Sequence, residues 1–231
     1  METLDRVTRE GKERLYPSLS NPSWLVLRRR RMIFQKWLGH IAGDELLVLD
    51  VGGRIQPYRP LLEKHLRYYV ALDLRQTPLV NVIARGEQIP LSDGKVDLVL
   101  CTQVLQYVSD PAAAVAEIHR VLKPGGHLLL SVPAVFPQDS EHDRWRFLPD
   151  GLTLLLRSFR DVEIAAEGLS VAGFFRTVCI WLVMFGRPVF VAKILRITLV
   201  PLLNLTAALL DRWFARGNTQ FTVNFSALAK K

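Results

Sequence analysis

Four groups of residues have types and spacing that suit chemistry. The first is Asp50 with Gly52 and Gly53, closing the apolar run of residues 46–49. An apolar run that ends in an acid and two glycines reads as a buried strand entering a tight turn. Such a turn sets a carboxylate and backbone donors at the carboxyl edge of a sheet, where open α/β sheets bind ligands. The second is Asp73, which ends the apolar run of residues 68–72. It lies as far beyond the glycine turn as the ribose-binding acid of a mononucleotide βαβ unit, so its carboxylate could accept two vicinal hydroxyls. The third is the segment EHDRWRF, residues 141–147. His142 is a candidate general base, with Asp143 or Glu141 to orient it. Arg144 and Arg146 have the fork that matches a carboxylate or phosphate, with Trp145 between them as a further substrate contact. The alternatives are a loop histidine packed on Trp145 and arginines that brace the loop. The fourth is Gln103 and Tyr107, just past the strand-like VDLVLC. Tyr107 could touch substrate or pack behind it.

Other chemistries are not encoded. Histidines are scattered and no cysteine pair has ligand spacing, so no metal site is expected. There is no G-x-S-x-G or phosphate-binding P-loop pattern. His119 on a helix and His127 at a strand start read as structural. Cys101 and Cys179 are the only cysteines. They exclude a disulfide framework and read as buried thiols in a reducing compartment. The charged N-terminus lacks the apolar region of a signal peptide. The net charge of +8 concentrates in residues 28–31, all arginine, and in Arg176, Arg187, Lys193, Arg196, Arg212 and Arg216 against one acid, Asp211. Such an excess suits an anionic lipid surface or acidic substrate. Without zinc-finger spacing or an aromatic RNA-binding strand, nucleic acid is not expected as a partner.

The elements that must hold these groups follow in order. Residues 1–22 read as a loose polar arm, and residues 24–41 as a helix with one packed face and arginines on the other. After the first strand a helix is expected over residues 58–66, with Pro57 near its first turn. Short strands follow at residues 81–84 and 96–101. Asp110 and Pro111 are the cap and first position of a helix reaching residue 122. Residues 128–132 form a fifth strand, 149–157 a helix, 160–167 a sixth strand and 220–229 a last one. The alternation predicts a largely parallel sheet with helices on both faces.

The segments VLDVGG, YVALD, GEQIPLSDGKVDLVLCTQVLQYVSDP and EIHRVLKPGGHLLLSVP occur in this order. Together they resemble the class I S-adenosylmethionine-dependent methyltransferases of small single-domain type, acting on small molecules, sugars or lipids. The resemblance covers residues 45–167 and the last strand. It implies a Rossmann-like, seven-stranded α/β sheet, mostly parallel with an antiparallel last strand, and S-adenosylmethionine as cofactor. It also implies roles. Asp50, Gly52 and Gly53 would line the methionine part, and Asp73 would take the ribose hydroxyls. Glu87, Gln88 and Ile89 would border the adenine, and Gln103 would sit by the methionine or sulfonium. Arg54, Gln56 and Arg85 stand where the family usually has small or acidic residues. The expected reaction is methyl transfer to a small-molecule, sugar or lipid-linked acceptor, at oxygen before nitrogen or carbon, with His142 removing the proton. A catalytically weak, membrane-associated binding module on the same fold is the alternative.

Four regions result: an arm and helix (1–44), the cofactor-binding core (45–167), an apolar helical insertion (168–219) and the last strand (220–231). The insertion reads as two or three helices, broken at residues 186–188 and near Pro201. Its longest uncharged run, residues 197–210, suits a buried or interfacial helix. Three uses stay open: an extra layer on the sheet, a homodimer face, or peripheral contact with the inner face of a membrane by an otherwise cytoplasmic protein.

Overall fold

The computed structural model describes every residue except 1, 42, 186, 187, 215 and 216. Arg187, Arg216 and the expected helix break at Gly186 and Arg187 lie outside the described residues. Seven strands form one sheet: β1 (Leu46–Val51), β2 (Leu66–Asp73), β3 (Val82–Ile83), β4 (Val96–Thr102), β5 (Leu122–Pro133), β6 (Arg160–Ala166) and β7 (Asn224–Lys230). Their order is β3-β2-β1-β4-β5-β7-β6. The pairs from β3 to β5 are parallel, whereas β7 runs antiparallel to both β5 and β6. Successive strands are added to one side of β1 as far as β3 and to its other side from β4 on, so the strand order reverses between β1 and β4, the kind of switch point at which open α/β sheets take ligands.

The strands are apolar on both faces because both are covered. On one face Val48, Leu98, Leu100 and Leu129 pack with Ile33, Phe34 and Trp37 of α2 (Trp24–Leu38). On the other, Leu49, Val99, Cys101 and Leu130 pack with Val115 and Ile118 of α3 (Pro111–Val121) and Leu152 of α4 (Pro149–Leu155). The cap of α3 is as its sequence predicts: Asp110 Oδ1 accepts from the N–H groups of Ala112 and Ala113.

Three expectations are corrected. The N-terminal arm is largely helical: α1 (Leu4–Leu15) turns Val7, Gly11 and Leu15 inward. Gly11 is needed there, because a Cβ would sit 2.3 Å from the Ile55 carbonyl oxygen. The helix expected over residues 58–66 is absent, and two single 3₁₀ turns, Arg59–Leu61 and Glu63–His65, occupy the stretch. Pro60 disfavours an α conformation for the residue before it, and β2 claims the chain from Leu66, so the stretch between holds only the two short turns. Finally, Pro201 does not break the insertion. α5 (Ser170–Phe185) is followed by α6 (Val189–Phe214), which runs through Pro201. α6 packs along α5 and is fastened by Asn204, whose Nδ2 donates to the carbonyls of Leu19 and Asn21.

One arginine of the run at residues 28–31 is not on a solvated face. Arg30 is 2% exposed and donates through Nε and Nη2 to Glu167 Oε2 at 2.8 and 2.7 Å. Glu167 Oε1 accepts from Ser131 and Ser226, and Ser131 Oγ in turn accepts from Gln103 Nε2. A buried polar chain thus joins α2 to the carboxyl end of β4.

Candidate active site

The carboxyl ends of β1, β2, β4 and β5 open into a cavity of about 840 Å³, walled on the far side by α1, α2 and α5. Its size is within the range of small-molecule sites. At the end of β1, Gly52 has a φ of +79°, and a Cβ there would lie 2.1 Å from Val104 Cγ2. Glycine is required on both counts. The N–H groups of Gly52 and Gly53 do not face the cavity as free donors: both bond the Leu72 carbonyl, at 2.8 and 3.1 Å. The turn therefore offers close backbone approach rather than hydrogen bonds.

Asp73 reaches the cavity from the end of β2. Its Oδ1 accepts from the Arg75 N–H, and its other oxygen carries no hydrogen bond among the described residues. Gln103 follows β4 with a φ of +57° and lines the cavity beside Thr102 and Val104. A non-glycine residue held there costs about 1–3 kcal/mol, and such positions gather at functional sites. Its side chain is held by Ser131, and the Asn224 amide oxygen can accept from its Nε2 at 2.9 Å. Gly86 and Glu87 form the opposite rim. Glu87 is tied to the Ser109 N–H.

Four residues assigned to cofactor contact do not line the cavity: Asp50, Gly53, Gln88 and Ile89. Asp50 is 3% exposed and accepts from Tyr69 Oη at 2.6 Å. Burial raises its pKa to about 7, opposed by the Tyr69 hydrogen bond and reinforced by Asp73. Ile89 is buried, with its N–H on Glu117 and its carbonyl on Arg120. The residues that depart from the family pattern have local employment. Arg54 lines the cavity but is held by ion pairs to Glu2 and Glu10 of the N-terminal segment, and Gln56 donates to the Leu79 carbonyl. Arg85 stays exposed on the rim.

The loop after β5 is built differently from expectation. His142 lines the cavity, but Asp143 does not orient it. Asp143 pairs with Arg146 at 2.6 Å and accepts the Asp139 N–H, and that ion pair holds its carboxyl below the usual range. Glu141 stands 3.6 Å from His142 Nε2, too far for a hydrogen bond. Arg146 also donates to the Phe136 carbonyl, Arg144 to the carbonyls of Tyr107 and His142, and Trp145 Nε1 to the Val108 carbonyl. None of Arg144, Trp145 and Arg146 lines the cavity. They brace the loop, because the chain there supplies carbonyls with no strand or helix partner. Tyr107 does line the cavity, donating to Asp139 at 2.6 Å; its burial and this bond push its pKa to about 12.

Sequence reasoning missed Arg14, Arg176 and Gln106 as cavity residues. They come from α1, α5 and the loop after β4, and no local pattern links them. Among the described residues, no group of histidine, cysteine and acidic side chains could hold a metal ion.

The strand order and the antiparallel β7 are those of the Rossmann-like methyltransferase fold. Residues 49–130 match the methyltransferase domain family. A probable S-adenosylmethionine-dependent methyltransferase of Mycolicibacterium smegmatis is 30% identical over 177 residues, covering 70% of this chain and 63% of that protein. The thiol S-methyltransferase TMT1B of Rattus norvegicus is 34% identical over 93 residues, 36% of this chain and 38% of that one. The chain thus spans less than two thirds of the length of either relative. A 1,6-didemethyltoxoflavin N1-methyltransferase of Burkholderia thailandensis, solved with S-adenosylhomocysteine, shares the fold with a TM-score of 0.54 at 18% identity, covering 89% of this chain and 78% of that one. The matched domain and the fold are those of the class I S-adenosylmethionine-dependent methyltransferases. The cavity fits the cofactor of that family: it has a close-approach glycine, a carboxylate with an unengaged oxygen for the ribose, and room for the donor and a small acceptor together.

Proposed function

We propose that this protein transfers a methyl group from S-adenosylmethionine to a small-molecule acceptor, at oxygen. The observation that carries the reading is one cavity bordered by Gly52, Asp73 and Gln103 and, across it, by His142. Bound S-adenosylmethionine supplies a methyl group already activated by the sulfonium charge. The chain's own part is then chiefly positioning, which can contribute about 7–11 kcal/mol of barrier reduction. Asp73 holds the ribose, the Gly52 turn admits the amino-acid end, and Gln103 is fixed by Ser131 so that it cannot swing into the acceptor's path. His142, exposed at the mouth, is the candidate to take the acceptor proton. The braced loop of residues 137–147 holds His142 at that side of the cavity.

Calorimetry with S-adenosylhomocysteine is the direct test. Wild-type protein should bind it, and Gly52→Ala should bind at least about tenfold more weakly, because the added methyl displaces Val104 into the site. Absence of binding by the wild type would overturn the reading. Binding without turnover on any hydroxyl or thiol acceptor would favour the non-catalytic module.

We also propose that α5 and α6 lie on an anionic membrane surface. α6 is long and apolar enough, by length and composition, to cross a membrane. It buries Val200, Asn204 and Ala207 on one face and exposes Ile197, Leu202, Leu205 and Leu209 on the other. The Asn204 hydrogen bonds to the N-terminal loop favour a helix lying along the domain, in the interface plane. The exposed Lys193, Arg196 and Arg212 suit anionic headgroups.

A further inference from the structure

Two buried side-chain atoms among the described residues have no hydrogen-bond partner, Arg176 Nη1 and Gln106 Oε1. Both residues line the same cavity. Native proteins rarely leave such atoms unpaired, because each costs its desolvation without a compensating bond. Their polarities are opposite: one is a cationic donor and the other a neutral acceptor.

Arg176 is 7% exposed and sits on α5. Its Nε donates to Ser23 Oγ at 3.1 Å, and its guanidinium lies 5.0 Å over the Phe136 ring. It has no acidic partner, since Glu167, the buried acid nearby, is committed to Arg30. Burial draws its pKa down to about 10, with Arg30 adding to the effect, so it stays charged at neutral pH. Arg14, on the same cavity wall, also has no ion pair among the described residues. Of the acids that line the cavity on that side, Glu10 is held by Arg54, Asp143 by Arg146 and Asp139 by the Tyr107 hydroxyl, and Glu13 is exposed. Phe136, on which Arg176 stacks, follows β5, and Gln106 follows β4, whereas Asp73 ends β2 on the other side of β1.

We propose that this corner is an anion-binding acceptor subsite: Arg176 holds a carboxylate or phosphate of the acceptor, and Gln106 Oε1 accepts a hydrogen bond from a donor on the same molecule. The inference rests on the methyl-transfer reading and names its substrate class, an acidic acceptor that also carries a hydroxyl, thiol or amine. Arg14 adds positive potential at the entrance, and Phe136 provides a flat apolar wall beside the anion.

The test titrates protein saturated with S-adenosylhomocysteine with inorganic phosphate, with 4-hydroxybenzoate and with neutral phenol. At least one anion should bind where phenol does not. Arg176→Met should weaken that binding about tenfold or more, the loss of a charge-assisted hydrogen bond, and leave S-adenosylhomocysteine affinity unchanged. Arg176→Lys, which keeps the charge but not the fork, should fall between. It also guards against a folding defect in the methionine variant. No heat from either anion, equal anion affinity in both variants, or a parallel loss of S-adenosylhomocysteine affinity would overturn the proposal. The last outcome would give Arg176 to the cofactor's own carboxylate. Failure of S-adenosylhomocysteine to bind wild type would defeat the cofactor reading alone, and anion titration of the unliganded protein would still report on this corner.

Discussion

Asp50 is the residue whose role changes most between sequence and structure. It closes β1 beside the glycines, where it reads as a ligand contact, yet its carboxyl is sealed behind the turn with Tyr69 as donor. Burial without a cation raises its pKa from 3.8 to about 7. The folded state therefore favours the protonated acid. The stability this provides is fully present below about pH 4 and is lost as pH rises through about 7, on the order of 4 kcal/mol across that window. Asp50→Asn keeps an acceptor for Tyr69 and carries no charge. It should raise the melting temperature at pH 8 and leave it nearly unchanged at pH 4. Thermal melts at both values check this, and an equal effect at the two would show that the Asp50 carboxyl is not the titrating group.

The strands and the α3 cap were legible in the sequence because their signals are local: apolar runs bounded by glycine, and Asp110 followed by Pro111. The placement of Gly52, Asp73 and Gln103 on the cavity was legible too, since strand ends set it. What was not legible depends on partners far along the chain. The arginines of the loop after β5 serve its own carbonyls, which only the folded loop reveals. Pro201 sits inside α6 because tertiary packing against α5 outweighs its local cost, about 3 kcal/mol. Arg30 looks like one of four surface arginines until Glu167, 137 residues away, is found beside it. That pair makes a prediction about α2. Arg30→Met leaves Glu167 buried and unpaired and should destabilise the protein by about 3–5 kcal/mol. Adding Glu167→Gln should restore most of the loss. Denaturant unfolding of the two variants checks this; a double variant as weak as the single one would mean that the polar chain to Ser131 and Ser226, rather than the buried charge, holds α2 in place.

At the scale of the whole molecule the charge and the apolar surface coincide. Much of the excess of +8 falls on the segments flanking and including α5 and α6. The acid there, Asp211, is spent on the N–H groups of Leu169 and Ala172 at the start of α5. Lys193, Arg196 and Arg212 are exposed along the same helix as Phe190, Ile194 and Trp213, with Arg196 Nε donating to the Ser20 carbonyl. Each basic residue near an anionic surface is worth about 1 kcal/mol, and the buried apolar side chains add the larger share. The proposed membrane face and the proposed acceptor subsite would meet on α5, where Arg176 is buried at the cavity and Phe174 is exposed. The expected outcome is co-flotation with vesicles containing anionic lipid, weaker on neutral vesicles and at high salt because the electrostatic part is screened. Leu205→Glu, on the exposed side of α6, should abolish flotation without changing S-adenosylhomocysteine affinity, since it lies outside the cavity. Wild-type protein that stays out of the floating fraction with anionic vesicles at low salt would remove the membrane from the account and leave α5 and α6 as a face for a second copy of the chain.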